Sequence, residues 1–392
     1  MSFSKRTSWQ RQSNKPTILR EHLIAQGRSI ADLTISNPTD CGFDYSGILP
    51  PLANTNVLTY NPDPHGLLQA RQAVVRYYQE KNIQLDPKNI FLTANSSEAY
   101  SHIFKLLCDV GNAVLVPRPS YPLFDYLAQL SDVRLVDYDL CYDGEWHIDL
   151  VSLKNSIRDE HGGIKAIVLV NPHNPTGMFL KKDEYASIIE IANSFKLALI
   201  VDEVFIDYPF TDDAKRLYST AGEKNVLTFT LNGISKACGL PQMKLGWIVV
   251  GGQPDNVCET IARLEIICDT YLSVSTPIQV SLAGLFDAGI IIRRQIRDRV
   301  LANYMFLKNI IGLNNPCSLL HIEGGWSAVL RIPHIKSDEQ WSLELLENKS
   351  IYVHPGYFFD FDNKGYLVLS LLVKESAFQN TIGDLIEYIK KF

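Results

Sequence analysis

The sequence predicts an α/β fold: a large domain with a mainly parallel central sheet flanked by helices, plus a smaller α/β domain made from both termini. Three observations predict it. Short apolar, β-rich runs alternate with stretches of helical periodicity through the middle of the chain. That alternation is the mark of βαβ units, whose crossover helices cover both faces of a parallel sheet. The two ends follow a different rhythm, with a helical segment first and two strand-like runs and a closing helix last.

In order, residues 90–94 form an apolar run, followed by Ser-Ser-Glu and the helix-like AYSHIFKLL. Residues 113–116 are followed by YPLFDYLAQL, and residues 164–170 by a turn and KKDEYASIIEIANSF. Residues 197–201 and 226–231 complete the set. At the start, residues 17–26 read as a helix, with Pro16 ahead and Gly27 as a stop. Near the end, WSAVLRI and GYLVLSLL read as strands, and Phe378, Ile382, Leu385, Ile386 and Ile389 recur at helical spacing. Residues 45–285 are expected to form the large domain, and 1–44 with 286–392 the small one.

A chain of 392 residues that is 46% hydrophobic and 20% charged has ample apolar material for a large core. Its net charge of −6, with no basic tract, gives no footprint for nucleic acid. The N-terminus lacks the apolar segment of a secretory signal, and no apolar run has the length and freedom from charge of a membrane span. Seven scattered cysteines without a CxxC pair read as reduced cytosolic thiols, not as a disulfide frame or metal site. A cytoplasmic protein is expected.

Ligands of open α/β sheets gather beyond the carboxyl ends of the strands. The polar residues after each apolar run are therefore the candidates. Asn95, Ser96, Ser97 and Glu98 follow the first, where a helix N-terminus suits a phosphate; simple capping explains them equally. Pro119-Ser120-Tyr121 follows the second, and its aromatic suits a planar ligand or a plain rim position. The turn NPHNPTG follows the third and aims the Asn174 amide inward, unless it is only a structural turn. Asp202 closes an apolar strand, so its carboxylate requires a cation or donors. Ser235-Lys236 follows the last run. An amine desolvated there has a lowered pKa and a free lone pair for Schiff-base chemistry; a lone lysine otherwise reads as a surface residue. Taken in order, the phosphate cradle, aromatic plate, Asn donor, buried acid and desolvated lysine match the needs of pyridoxal 5′-phosphate.

These motifs, with SNPTD at 36–40, YNPDPHGLLQAR at 60–71, TANSSEA at 93–99, VDEVF and SKACGLPQMKLG, resemble the class I/II aminotransferases of pyridoxal phosphate fold type I. The resemblance covers nearly the whole chain. It implies a homodimer with shared active sites that moves an amino group between an amino acid or amine and a 2-oxo acid by a ping-pong mechanism. It also implies that Lys236 is the Schiff-base lysine, Asp202 the partner of the pyridine nitrogen, Asn174 the donor to the ring oxygen and Tyr121 the stacking ring. Ser96, Ser97, Ser235 and Lys244 would hold the phosphate, with Tyr60 reaching it from the neighbouring subunit. Asn37 and Asn174 would face the substrate. Four positions depart from the family. Lys244 replaces an arginine, Gly233 a phosphate-binding serine and Phe205 a tyrosine beside the ring oxygen. Val368 stands where the family carries the arginine that grips the substrate carboxylate, leaving Arg331 and Lys374 as the nearest cations in sequence.

Two other activities suit the same residues: a lyase or decarboxylase on this scaffold, and a non-enzymatic amine sensor. His65 and His173 read as locally bonded turn residues. The FFDF run at 358–361 reads as packing for the small domain or as the lining of the substrate entrance.

Overall fold

The computed structural model describes residues 2–9, 12–312, 315–361 and 365–392. Its centre is an eight-stranded sheet. In chain order the strands are β1 (Ile90–Thr93), β2 (Ala113–Arg118), β3 (Arg134–Tyr142), β4 (Trp146–Ile148), β5 (Ile164–Val170), β6 (Ala198–Asp202), β7 (Thr228–Gly233) and β8 (Gly246–Gly251). Their spatial order is β1-β8-β7-β6-β5-β2-β3-β4. Neighbours from β7 through β3 are parallel, whereas β8 and β4 are antiparallel to their neighbours. Every residue of β1, β6, β7 and β8 is buried, and β1 and β6 accordingly read as near-continuous apolar runs. Sequence reading passed over β3, β4 and β8. β4 is a short edge strand, β3 beside it is charge-studded, and β8 is bounded by glycines within a motif-rich stretch.

Helices cover both faces. Ser96–Leu107, Leu123–Leu130 and Pro254–Tyr271 bury Ile103, Phe104, Phe124 and Leu264 against Phe91, Val114, Phe229 and Ile248. Leu150–Asp159 and Lys182–Phe195 bury Leu153, Ile188 and Ile191 against Leu115, Ile167 and Leu199. Among the described residues no single helix is long and apolar enough to cross a membrane.

Both termini build the second layer. Ser318–Leu319, Ser327–Arg331, Tyr366–Ser370 and His354–Pro355 form an antiparallel sheet in that order. Helices Lys15–Ala25, Asp338–Lys349 and Glu375–Ile389 pack around it, with Trp341 and Phe378 fully buried. Ala31–Asp32 pairs in parallel with Ile351–Tyr352. The next residues are sewn to the sheet: Ser370 donates its N–H to Leu33 (2.7 Å) and its hydroxyl to the Ile35 carbonyl.

The expected domain boundary at 285/286 falls inside one continuous helix, Thr276–Ile310. Its buried residues Leu282, Leu285, Ile292, Ile296 and Val300 belong to a core that runs from Trp247 in the large sheet to Trp341 and Phe378 in the small domain. A continuous buried stripe gives the chain no reason to break there.

One seam fixes the two layers near the carboxyl edge of the large sheet. Gly177, at φ +70°, accepts from Glu323 N–H (3.2 Å), and Glu323 N–H lies beside Ile322. A Cβ on Gly177 would lie 2.2 Å from Ile322 Cγ2 and 2.5 Å from the Gly324 carbonyl oxygen. Gly177→Ala therefore combines left-handed backbone strain with overpacking, each worth roughly 1–3 kcal/mol. It should lower stability by about 2 kcal/mol or more in urea unfolding. A midpoint unchanged from the wild type would show that the seam yields freely.

Candidate active site

β1, β2, β5, β6 and β7 all end at one edge of the sheet, and a cavity of about 510 Å³ opens there against the small domain. It is lined by Ser96, Ser97, Tyr121, Asn174, Asp202, Phe205, Ser235, Lys236 and Lys244. Nine candidates scattered over about 150 positions of sequence thus meet in one place, because eight lie at or just beyond the ends of strands that stop at this edge, and Lys244 just precedes β8, which starts there.

Asn95 is the N-cap of helix Ser96–Leu107: its side-chain oxygen accepts from Glu98 N–H (2.9 Å). Glu98 answers by accepting from Ala94 N–H (2.6 Å) and from the Ser273 hydroxyl (2.6 Å). Capping occupies Asn95 and Glu98 and leaves the N–H groups of Ser96 and Ser97 without an acceptor among the described residues. Both the capping and the anion-binding readings of this loop therefore hold, on different residues.

Tyr121 stands at the rim, 46% exposed, with its hydroxyl pushed up in pKa by burial and by Asp202. In the NPHNPTG turn, Asn171 is used structurally: it donates to the Leu217 carbonyl (3.2 Å) and accepts from Leu180 N–H (3.0 Å). His173 is buried against the Thr176 hydroxyl (2.9 Å), and burial takes its pKa down to about 3. Asn174 lines the cavity, and its side-chain oxygen accepts from the Ser327 hydroxyl (3.3 Å).

Asp202 is buried at the end of β6. One carboxylate oxygen accepts from Val204 N–H (3.1 Å), the other from the Tyr100 hydroxyl (3.3 Å). Burial pushes its pKa up to about 6 against those donors and against Lys236. Lys236 is on a one-turn helix, Ile234–Ala237, after β7. Burial lowers its amine to about 8; Asp202 opposes that shift and Lys244 adds to it. Its Nζ lies 4.8 Å from the centroid of the Trp326 ring and 5.7 Å from that of Phe205. The departure at Gly233 has a backbone reason: a Cβ there would lie 3.0 Å from the Leu245 carbonyl oxygen.

Sequence reading missed several groups. Tyr100 holds Asp202, and Tyr208 donates to the Lys236 carbonyl (2.5 Å). Beneath the lysine turn, Asn232 accepts from Gly233 N–H (2.7 Å) and donates to the Tyr77 hydroxyl (3.2 Å). Tyr77 in turn donates to Asp207 (2.7 Å), which Lys81 holds at 2.6 Å. Trp326, Ser327, His354, Phe359 and Ser370 come to the cavity from the small domain. Phe359 lines it while Phe361 packs on Trp146 and Tyr366, so the FFDF run serves both expected purposes.

Two expected residues are elsewhere. Asn37 accepts from Thr39 N–H (3.2 Å) and donates to Asp40 (2.8 Å), capping its own short turn; Thr34, Ile35 and Ser36 line the cavity instead. Tyr60 is 76% exposed and does not border this cavity.

The donor set suits a flat, phosphorylated ring with a carbonyl. It offers free helix N–H groups beside Ser235 and Lys244, an aromatic plate, a buried carboxylate with no cation bonded to it, and an amine held near neutrality. That arrangement stores unfavourable free energy. An aspartate in an unfolded chain titrates near 3.9. A folded value of about 6 means that Asp202 subtracts stability as pH rises from about 4 to about 6, with the full loss above 6. Two pH units correspond to roughly 3 kcal/mol. Asp202→Asn is expected to stabilise the cofactor-free protein at pH 7 by about 1–3 kcal/mol, with the gain vanishing toward pH 4. Unfolding curves at pH 4, 5.5 and 7 check this; a variant less stable than wild type at pH 7 contradicts it.

Comparison with known proteins points the same way. Residues 51–379 match the family "Aminotransferase class I and II". The glutamate-pyruvate aminotransferase AlaA of Haemophilus influenzae is 28% identical over 382 residues, 94% of this chain and 93% of that one. The alanine aminotransferase of Mycobacterium tuberculosis is 29% identical over 370 residues, 89% of this chain and 83% of that one. The solved alanine aminotransferase from Pyrococcus furiosus superposes over the full length of both chains with a TM-score of 0.86 at 23% identity, which shows the fold. The chain therefore belongs to the class I and II aminotransferases, with their pyridoxal phosphate fold type I, their dependence on pyridoxal 5′-phosphate and their transamination of amino acids and 2-oxo acids.

Proposed function

We propose that this cavity performs the transamination with Lys236 as its proton carrier and Asp202 as its electrostatic anchor. The observation that carries the proposal is the placing of a desolvated amine that lines the cavity, lowered to about 8, at the same sheet edge as a buried carboxylate raised to about 6. When bound, the cofactor carries the amino group between the two substrates and accepts the electron pair released at the substrate α-carbon.

The chain's own residues do the rest. The N–H groups at Ser96 and Ser97, the Ser235 hydroxyl and the Lys244 ammonium hold the phosphate. Lys244 acts as a point charge, without the two-pronged grip of an arginine. Tyr121 covers one face of the ring. Asp202 would accept a hydrogen bond from the ring N–H, and Tyr100 and Val204 keep its oxygens oriented. Asn174 donates to the ring oxygen, and Phe205 adds only apolar contact there. Lys236 Nζ would take and return the proton at the substrate α-carbon, a task that suits an amine titrating near working pH. The substrates are an amino acid and a 2-oxo acid, handled alternately in the same cavity.

A homodimer completes the proposal. Tyr60 faces solvent in the single chain, as a residue offered to a neighbour's phosphate must. Large apolar side chains, Leu49, Leu58 and Ile266, are exposed as well. The absence of a membrane-length helix among the described residues supports a cytoplasmic enzyme.

Two experiments test this reading. Borohydride reduction of the cofactor-loaded protein should leave a pyridoxyl tag on Lys236, found by peptide mass mapping, and Lys236→Ala should lose both the tag and 2-oxo acid formation from amino acids, by roughly 10³-fold or more. A tag on another lysine sinks the assignment. Light scattering should give twice the 44.2 kDa chain mass. Co-expressing Tyr60→Ala and Lys236→Ala chains should then restore activity that neither shows alone, since one site of each mixed dimer is intact. No restoration would place Tyr60 outside the shared site.

A further inference from the structure

Among the described residues three basic side chains border the cavity: Lys236, Lys244 and His354. The first two lie on the large domain beside Asp202 and the phosphate cradle. His354 comes from the facing wall. It is paired in register with Val368 across the small antiparallel sheet. Directly opposed residues of such a pair point to the same face, with Cβ atoms about 4.5–5.5 Å apart. Both side chains border the cavity, so the imidazole stands next to the position where the strand carries an uncharged valine. Edges of Tyr352, Phe358 and Phe359 surround the ring at centroid distances of 6.1, 5.5 and 5.9 Å. Among the described residues no protein group hydrogen-bonds its nitrogens, and the one charge acting on it strongly is Asp32.

The other cations proposed from sequence do not reach this wall. The Arg331 guanidinium lies over Tyr366 (5.8 Å) and Tyr142 (6.0 Å), outside the cavity lining. Lys374 borders a separate hollow with Asp32 and Asp40. The wall that carries His354 joins apolar Ile35, Phe359, Val368 and Leu372 to the uncharged Thr34, Ser36, Ser327 and Ser370, and among the described residues no second cation stands on it. A carboxylate taken out of water against such a wall needs a cationic partner.

On the aminotransferase reading, whose substrates each carry a carboxylate, we propose that His354 is the specificity-determining residue that binds that carboxylate as an imidazolium. It takes up one proton as the substrate docks. In the free protein burial lowers the imidazole's pKa, so it is neutral near pH 7. A carboxylate in contact reverses the balance by favouring the charged ring. The other titratable groups facing it do not supply that charge. Asp32 is bound to Arg20 (3.3 Å), and Asp338, on the helix behind, accepts the N–H groups of Tyr357 and Gly365. Tyr352 and Tyr357 flank it on its own segment, and Asp202, Lys236 and Lys244 stand across the cavity. Carboxylate affinity therefore falls as pH rises, tenfold per unit between the free and the substrate-bound pKa of His354.

The test compares the cofactor-loaded protein with its His354→Gln variant, using butyrate as an unreactive carboxylate. Calorimetric titration at pH 6 and pH 8, in two buffers of different ionisation heat, reads affinity and proton uptake together. Wild type should bind butyrate at least tenfold tighter at pH 6 and take up close to one proton. His354→Gln should bind it roughly 10- to 100-fold more weakly at pH 6, the range for losing a hydrogen bond to a charged group, with no pH dependence and no uptake. His354→Lys should restore affinity and keep it at pH 8. The KM for amino acids should follow butyrate, while the KM of a primary amine without a carboxylate stays fixed. Butyrate binding in wild type that ignores pH, or a glutamine variant as tight as wild type, overturns the proposal. Should His354→Gln fail to fold, the wild-type proton uptake decides. A wild type that takes up the proton but yields no 2-oxo acid from any amino acid leaves His354 in place and removes the aminotransferase reading instead.

Discussion

Burying an ammonium and a carboxylate at the end of one sheet is the constraint on which the rest of this structure depends. Each charge loses several kcal/mol of hydration, and neither is allowed the tight ion pair that would repay it. Among the described residues the carboxylate of Asp202 has an N–H and a phenol as donors; the amine of Lys236 has ring faces and a distant opposite charge. Holding two such groups apart demands a rigid frame. Parallel pairing of β6 and β7, in register through Asp202 and Leu231, sets their spacing. The buried chain from Asn232 through Tyr77 to Asp207, closed by Lys81 and Arg293, keeps the lysine turn from relaxing toward the acid. Stability given up at the edge is recovered in the fully buried strands behind it.

The second layer is fastened to that edge by polar contacts that would be costly to break. Glu323 accepts from Phe179 N–H (3.1 Å) and Arg216 (3.1 Å) and pairs with Lys181, while Gly177 receives its N–H. The seam joins the turn that carries Asn174 to Trp326 and the strand that starts at Ser327, so ring-facing and substrate-facing walls hold one geometry. The N-terminal segment does the same on the far side, where Ser370 ties down Leu33 and Ile35. Large-domain loops thus face a wall whose residues include Thr34, Ile35, Trp326, Ser327, His354, Phe359 and Val368.

What could be read from the sequence was local. A strand buried on both faces announces itself as an apolar run, and the residues that leave its end are adjacent in sequence; Ser96, Tyr121, Asn174, Asp202 and Lys236 were legible for that reason. Helix Glu375–Ile389 was legible from its periodicity alone. Tyr100, Tyr208 and Trp326 were not, because each matters through a partner far along the chain. No spacing rule connects Tyr100 with Asp202, 102 positions later. Asn37 shows the opposite failure: the loop was found correctly, but an Asx cap consumed the side chain and Ser36 took its place at the cavity. The helix Thr276–Ile310 runs through the expected boundary at 285/286, and its buried stripe gives no local sign of a break there.

Register also decides how a charge can be moved between strands without moving the site. A single strand can be scanned for a cation, and Tyr366–Ser370 has none. The antiparallel neighbour, however, presents its opposed side chain to the same face, so a base on either strand serves the same volume. The two solutions differ in kind. A guanidinium is charged at every pH and raises the free-energy cost of an empty cavity permanently. An imidazole ringed by Tyr352, Phe358 and Phe359 carries charge only while an anion is beside it, so the unliganded wall stays apolar and the burial penalty falls on binding alone. In a protein that already buries one uncompensated amine and one uncompensated acid at the same edge, a conditional charge is the lighter load.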